Sequence, residues 1–145
     1  MKLFQKNNIS YFSSSNGGNE KEAPMDKKVI LVVDDEPDIC SELGSFLQKK
    51  GYEVITASNG EEALAIYKKR KPDIVLSDYR MPLMNGFELI LKIKTISKGA
   101  NVILMSAIVD LDPFVMTKKS SAYEFIHKPV DLMALLKLIE TCSST

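Results

Sequence analysis

The chain has 145 residues, 45% of them hydrophobic, with 19 basic residues balanced by 19 acidic ones, which suits one folded domain around a single core and leaves no room for a second. Zero net charge offers no general attraction to nucleic acid or to a membrane surface. Cys40 and Cys142 lack the spacing of a metal-ligand pair or disulfide framework and read as small packing residues suited to a reducing cytoplasm, and no stretch is long enough to span a bilayer.

The opening MKLFQKNNISYF has no apolar core of the kind a secretory signal needs. Through about residue 26 the chain is rich in Ser, Asn, Gly and charge without an apolar period, so burial cannot offset the entropy of ordering it. Residues 1–26 therefore read as a flexible tail and 27–145 as the folded unit, with Met25 an alternative natural start.

Beyond the tail, β-branched runs alternate with helical stretches. Val29–Val33, Val54–Ala57, Ile74–Leu76, Val102–Met105 and Phe125–Ile126 read as strands. The first, third and fourth are almost wholly apolar, as strands covered on both faces of a parallel sheet must be. After the first strand, Ile39, Leu43, Phe46 and Leu47 form a helical stripe that opens near Pro37 and stops at Gly51. Glu61–Arg70 is predicted as a second helix. A third, Phe87–Ile96, has Phe87, Ile90 and Leu91 on one face. Asp112-Pro113 can open a fourth helix through about Ser120, and Leu132, Leu135, Leu136 and Ile139 mark the last. Alternating strands and helices with right-handed crossovers make a doubly wound sheet, whose ligands collect beyond the carboxyl ends of the strands.

Four predicted strands deliver chemistry to that rim. The first ends in Asp34, Asp35 and Glu36, the third in Asp78, the fourth in Ser106, and the fifth in Lys128 before Pro129. Converging carboxylates repel by roughly 4 kcal/mol per pair at ~4 Å and an effective dielectric near 20, so they call for a cation. Lys128 supplies one charge. Several oxygen ligands beside a phosphate suit Mg²⁺, with Asp34 and Asp35 placed to hold the ion and Asp78 alone above open space as a candidate phosphoryl acceptor. His127, the only histidine, points away from the face that Lys128 serves by strand alternation. Met81, Met84 and Met105 read as packing, and Lys49-Lys50 and Lys68–Lys71 as helix C-terminal charges.

The segments VILVVDDEPDI (29–39), PDIVLSDYRMPLMNGFELI (72–90), VILMSA (102–107) and FIHKPV (125–130) resemble, in order and spacing, the receiver domain of two-component response regulators of the single-domain, chemotaxis-regulator-like kind. The resemblance spans about residues 28–142. It implies a flavodoxin-like (βα)5 fold, strand order 2-1-3-4-5, and a cytoplasmic switch that is not a turnover enzyme. It also implies Mg²⁺, for which Mn²⁺ can substitute, bound by Asp35, Asp78 and the backbone carbonyl of Arg80, with Asp34 helping partly through water. Asp78 would take a phosphoryl group from a histidine kinase or histidine phosphotransfer domain. Lys128 would contact the phosphoryl oxygens, Ser106 would swing toward them, and Phe125 would follow as the switch aromatic. The output would be altered binding of a downstream protein through the surface of the fourth helix, fifth strand and fifth helix, in a monomer or weak phosphorylation-dependent dimer, without direct nucleic-acid or membrane contact.

Two departures from the family pattern stand out. Ser106 replaces the common Thr and loses a rotamer-restraining methyl, and Ser121 stands where Gly commonly precedes Ala. Arg80 and Ile108 fall at positions that tune phosphoryl lifetime in this family. Three other readings compete: a haloacid-dehalogenase-like phosphatase, which would need DxD where Asp34-Asp35-Glu36 stands; a flavodoxin-like FMN carrier, which would need a phosphate loop there; and a receiver-like module that binds independently of phosphorylation.

Overall fold

A computed structural model describes residues 27–107 and 123–143. Five parallel strands, β1 (Val29–Val33), β2 (Glu53–Ala57), β3 (Ile74–Asp78), β4 (Asn101–Ser106) and β5 (Glu124–His127), form one sheet in the order β2-β1-β3-β4-β5. Among the described residues there are four helices: α1 (Pro37–Lys49), α2 (Gly60–Arg70), α3 (Gly86–Ile96) and α4 (Leu132–Ser143), the last being the helix predicted as fifth. The predicted tail and the predicted helix at 112–120 lie outside the described residues, as do Ile108 and Ser121.

Burial follows the topology. The central strands β1, β3 and β4 are buried at nearly every position, whereas the edge strands β2 and β5 keep exposed residues. Helices α1 and α4 cover one face of the sheet, where Leu43, Leu47, Leu135 and Ile139 meet Ile30, Val32, Leu76 and Met105. Helices α2 and α3 cover the other face, with Ala63, Tyr67, Leu89, Ile90 and Ile93 against Leu31, Val33, Val75 and Leu104. Cys40 and Met105 lie in the first of these clusters and Met81 in the second, so packing is their place in the fold.

One face assignment needs correction. Leu91 is 47% exposed, while Leu89 and Ile93 are fully buried with Ile90. At about 100° per residue, Leu91 falls well outside the arc centred on Gly86, Leu89, Ile90 and Ile93. A helix apolar on most sides does not reveal which side meets the sheet.

The helix starts converge on one end of the sheet. Asn59 accepts a hydrogen bond from the Glu62 amide at the start of α2, and Asn85 and Glu88 form a reciprocal capping box at the start of α3. Pro37 opens α1, whose other end is closed at Gly51, where φ is +100°. Because every crossover is parallel, these N-termini share a rim with the strand C-termini.

Candidate functional site

At that rim, β1 runs out into Asp34 and Asp35, β3 ends on Asp78, β4 ends on Ser106, and β5 leads into Lys128, whose peptide bond to Pro129 is cis. The carboxylates of Asp34, Asp35 and Asp78 each bring an oxygen within 4.8 Å of the others. Lys128 Nζ donates to Asp34 Oδ2 at 3.0 Å and lies 3.2 Å from Asp78 Oδ1. The other oxygen of Asp34 accepts the Glu36 amide at 2.9 Å. Asp34 is therefore engaged at both oxygens with a fully buried side chain, whereas Asp35 is exposed.

Asp35, Asp78, Arg80, Ser106 and Lys128 line an open depression of about 500 Å³, with Met81 and Pro82 on its apolar rim. Ser106 is 2% exposed, and its carbonyl accepts the Lys128 amide at 2.9 Å, which ties β4 to β5 beside the ammonium. Phe125 does not line the depression. It is half-buried on β5, packs against the α2/α3 core and meets the exposed His127 ring edge-on with centroids 4.8 Å apart. His127 thus lies away from the carboxylates.

Electrostatics follow from burial. Desolvation raises the Asp78 pKa and the charge of Asp34 raises it further, with Lys128 acting in the opposite sense. For Lys128, burial works to lower the pKa, but its hydrogen bond to Asp34 and the charges of Asp78 and Asp34 outweigh that and hold the ammonium above its ordinary range. Two acids and an ammonium at contact distance, with a third acid beside them, leave negative charge uncompensated. Such an oxygen set fits a hard divalent cation.

Two residues that position the end of β3 leave no signal of that role in the sequence. The buried Ser77 hydroxyl donates to the Asp78 carbonyl at 3.0 Å. Gly86 lies so close to that carbonyl that a β-carbon there would collide with its oxygen and come within 2.7 Å of Leu104 Cδ1. The only local signal is the Asn85-Gly86 pair opening α3, which announces a helix start and says nothing about the strand beneath.

Comparison with known proteins agrees with this arrangement. Residues 30–140 match the model of the response regulator receiver domain, and the chain belongs to that family. It is 36% identical to the transcriptional regulatory protein GlrR of Escherichia coli (strain K12) over 77% of this chain and 25% of that protein. It is 38% identical to sporulation initiation phosphotransferase F of Bacillus subtilis (strain 168), over 71% of this chain and 83% of that one. The chain thus spans about a quarter of the transcriptional regulator and most of the phosphotransferase. The crystal structure of a response regulator receiver domain protein from Clostridium thermocellum superposes with a TM-score of 0.74 at 33% identity, covering 79% of this chain and 93% of that one. Receiver domains act as signalling switches, and neither the phosphatase nor the FMN-carrier reading is favoured by these matches. Among the described residues no helix is long and apolar enough to cross a membrane.

Proposed function

We propose that this chain accepts a phosphoryl group on Asp78 from a phosphohistidine of a histidine kinase or histidine phosphotransfer domain, in a divalent-cation-dependent reaction, and so alters its affinity for a protein target. The folded receiver would occupy residues 27–145 and work in the cytoplasm. The observation that carries the reading is the meeting of Asp34, Asp35, Asp78 and Lys128 at one strand-end rim.

Asp35, Asp78 and the backbone carbonyl of Arg80 would hold Mg²⁺, or Mn²⁺ in its place, with Asp34 helping. Bound there, the ion offsets the repulsion between the carboxylate and an incoming phosphoryl group. A carboxylate oxygen of Asp78 forms the new P–O bond as the donor P–N bond breaks, and the imidazole nitrogen keeps the electron pair. Lys128 retains Asp34 and turns its contact with Asp78 toward the phosphoryl oxygens. Ser106 donates its hydroxyl to them, and Phe125 repacks on the same side of β5. The added negative charge thereby reaches β4 and β5 and the neighbouring surface of the last helix.

Incubation with acetyl phosphate and Mg²⁺, followed by intact mass, tests this reading. The wild-type chain gains one phosphoryl group labile to base and hydroxylamine; Asp78→Asn does not, and chelation abolishes the gain. An equal, base-labile gain on the Asn variant removes Asp78 as the acceptor.

A further inference from the structure

The balanced net charge conceals a segregation. Acidic residues gather at the rim with Asp78, where Asp35, Glu36, Asp38, Glu61, Glu62 and Asp131 are all exposed. At the opposite end of the sheet, around the starts of β1, β2 and β3, cations outnumber acids among the exposed residues. Lys27 and Lys28 lead into β1, Lys49 and Lys50 close α1, and Lys68–Lys71, a Lys-Lys-Arg-Lys run, closes α2.

Main-chain bonds draw these three groups together. The Lys28 carbonyl accepts the Glu53 amide at 2.9 Å, and the Val29 carbonyl accepts the Asp73 amide at 2.8 Å. The two acids beside β2 and β3 at this end are both occupied: Glu53 pairs with Arg70 at 2.6 Å, and Asp73 Oδ2 accepts the Val29 amide, while Glu140 in the last turn of α4 stands exposed on the β5 side. Lys94, in the last turn of α3, and the exposed Lys98 extend the cations to the start of β4, and only at β5 do they give way, to Glu124.

Helix dipoles explain only part of this. They favour cations in the last turns of α1 and α2, but α4 carries none in its last turn, and Lys27 and Lys28 precede a strand. The ends also act independently. Five residues of strand separate them by roughly 17 Å, about two screening lengths at physiological ionic strength. An anionic surface near the basic end therefore feels little of the acidic one.

Against the expectation of no membrane contact drawn from the balanced charge, we propose that this basic end, centred on Lys27, Lys28, Lys49, Lys50, Lys68 and Lys69, docks the chain on an anionic lipid bilayer. Hydrated lysine charges suit diffuse attraction to such a surface. Nucleic acid fits less well, because the one arginine here is engaged by Glu53 and no free guanidinium remains for bidentate phosphate or base contacts. Moreover α1 and α2 lie on opposite faces of the sheet, so the cations surround its end instead of lining one groove along a strand. Docked in this way, the chain turns its carboxylate rim toward the aqueous side.

Co-sedimentation of the full chain with vesicles tests the docking without reference to phosphorylation. Phosphatidylcholine vesicles containing phosphatidylserine bind the chain at physiological ionic strength, where the two ends are screened from each other, vesicles of phosphatidylcholine alone do not, and added salt weakens the binding. Reversing Lys49, Lys50, Lys68 and Lys69 to Glu lowers the affinity by at least about a thousandfold. The four Lys→Gln changes, gentler on the fold, produce a smaller loss in the same direction. Absence of phosphatidylserine-dependent binding, undiminished binding of the reversed chain, or retention of duplex DNA in preference to these vesicles overturns the proposal.

Discussion

Replacing Gly86 with Ala tests how the end of β3 is held. The added carbon meets the main-chain oxygen of Asp78, with the carbonyl carbon 3.0 Å away and Leu104 Cδ1 at 2.7 Å. Neither Asp78, on a central strand, nor α3, whose first amide donates to the Tyr79 carbonyl at 2.8 Å, can retreat without losing packing or that bond. Overpacking costs about 1–3 kcal/mol where side chains yield, and a main-chain obstacle places this change near 3 kcal/mol. With an m-value of about 1.5 kcal/mol/M, the urea midpoint falls by about 2 M. Two other glycines supply the scale. At Gly60 the obstacle is the side chain of Met84, its sulfur 2.6 Å from the added carbon, and a flexible thioether yields at about 1 kcal/mol or less. At Gly99 the added carbon meets nothing within 4 Å, so alanine there changes stability by about 0.5 kcal/mol or raises it. Urea unfolding of the three variants by circular dichroism should rank them in that order. If Gly86→Ala costs no more than Gly60→Ala, the close approach to Asp78 does not hold the strand as argued.

The ionised Asp78 carboxylate should be unfavourable to the fold. Its pKa is raised by burial and by Asp34, so the stability it contributes is present below its ordinary pKa and is lost once pH exceeds the raised one. At neutral pH in chelator, Asp78→Asn should melt above wild type, and excess Mg²⁺ should narrow or reverse the gap; a lower melting temperature for Asn under both conditions refutes this. Removing Lys128 leaves the buried Asp34 oxygen without its ammonium, so Lys128→Ala should cost about 3 kcal/mol in urea unfolding, and Asp34→Asn should recover part of it. Burial, then the charge of Asp34, raises the Cys40 thiol to about 12 from 9.0. Because the unfolded thiol ionises first, that contribution is complete below pH 9 and lost as pH rises toward 12. Cys40 should resist iodoacetamide in the native chain, and Cys40→Ala should flatten the alkaline loss of stability; rapid native alkylation at Cys40, identified by peptide mass, would contradict the burial.

Much of the fold was legible because the central strands are buried on both faces and announce themselves as VILVV, DIVLS and VILMS. The edge strands carry mixed residues, and their ends extend beyond the predicted ones, to Glu53 in β2 and to Glu124 and His127 in β5. Residues at strand ends were equally readable, since topology alone carries Asp34, Asp35, Asp78, Ser106 and Lys128 to one rim. What the sequence withholds is contact between parts of the chain. The double engagement of Asp34, the Ser77 hydroxyl on the Asp78 carbonyl, and the fit of Gly86 above it depend on sub-ångström placement. Leu91 is misread for a related reason: the apolar arc of α3, from Ile96 through Gly86 to Leu91, is wider than the stripe the sheet covers, so only the sheet decides which of its residues are buried.

The way Asp34 is held bears on how the site can respond. With one oxygen on the Glu36 amide and the other on Lys128, Asp34 is fixed by β1 and by the β5 end together. Asp35 is exposed, and the contact of Asp78 with Lys128 is the longer of the two that the ammonium makes. On the proposed reading, the bond that yields on phosphorylation is the one to Asp78, the group that gains the phosphoryl, while the doubly engaged Asp34 acts as a pivot. Since the Lys128 amide is tied to the Ser106 carbonyl, a shift of the ammonium about that pivot pulls on the ends of β4 and β5 before it reaches β1. On that reading, the response begins at the β4-β5 side of the sheet.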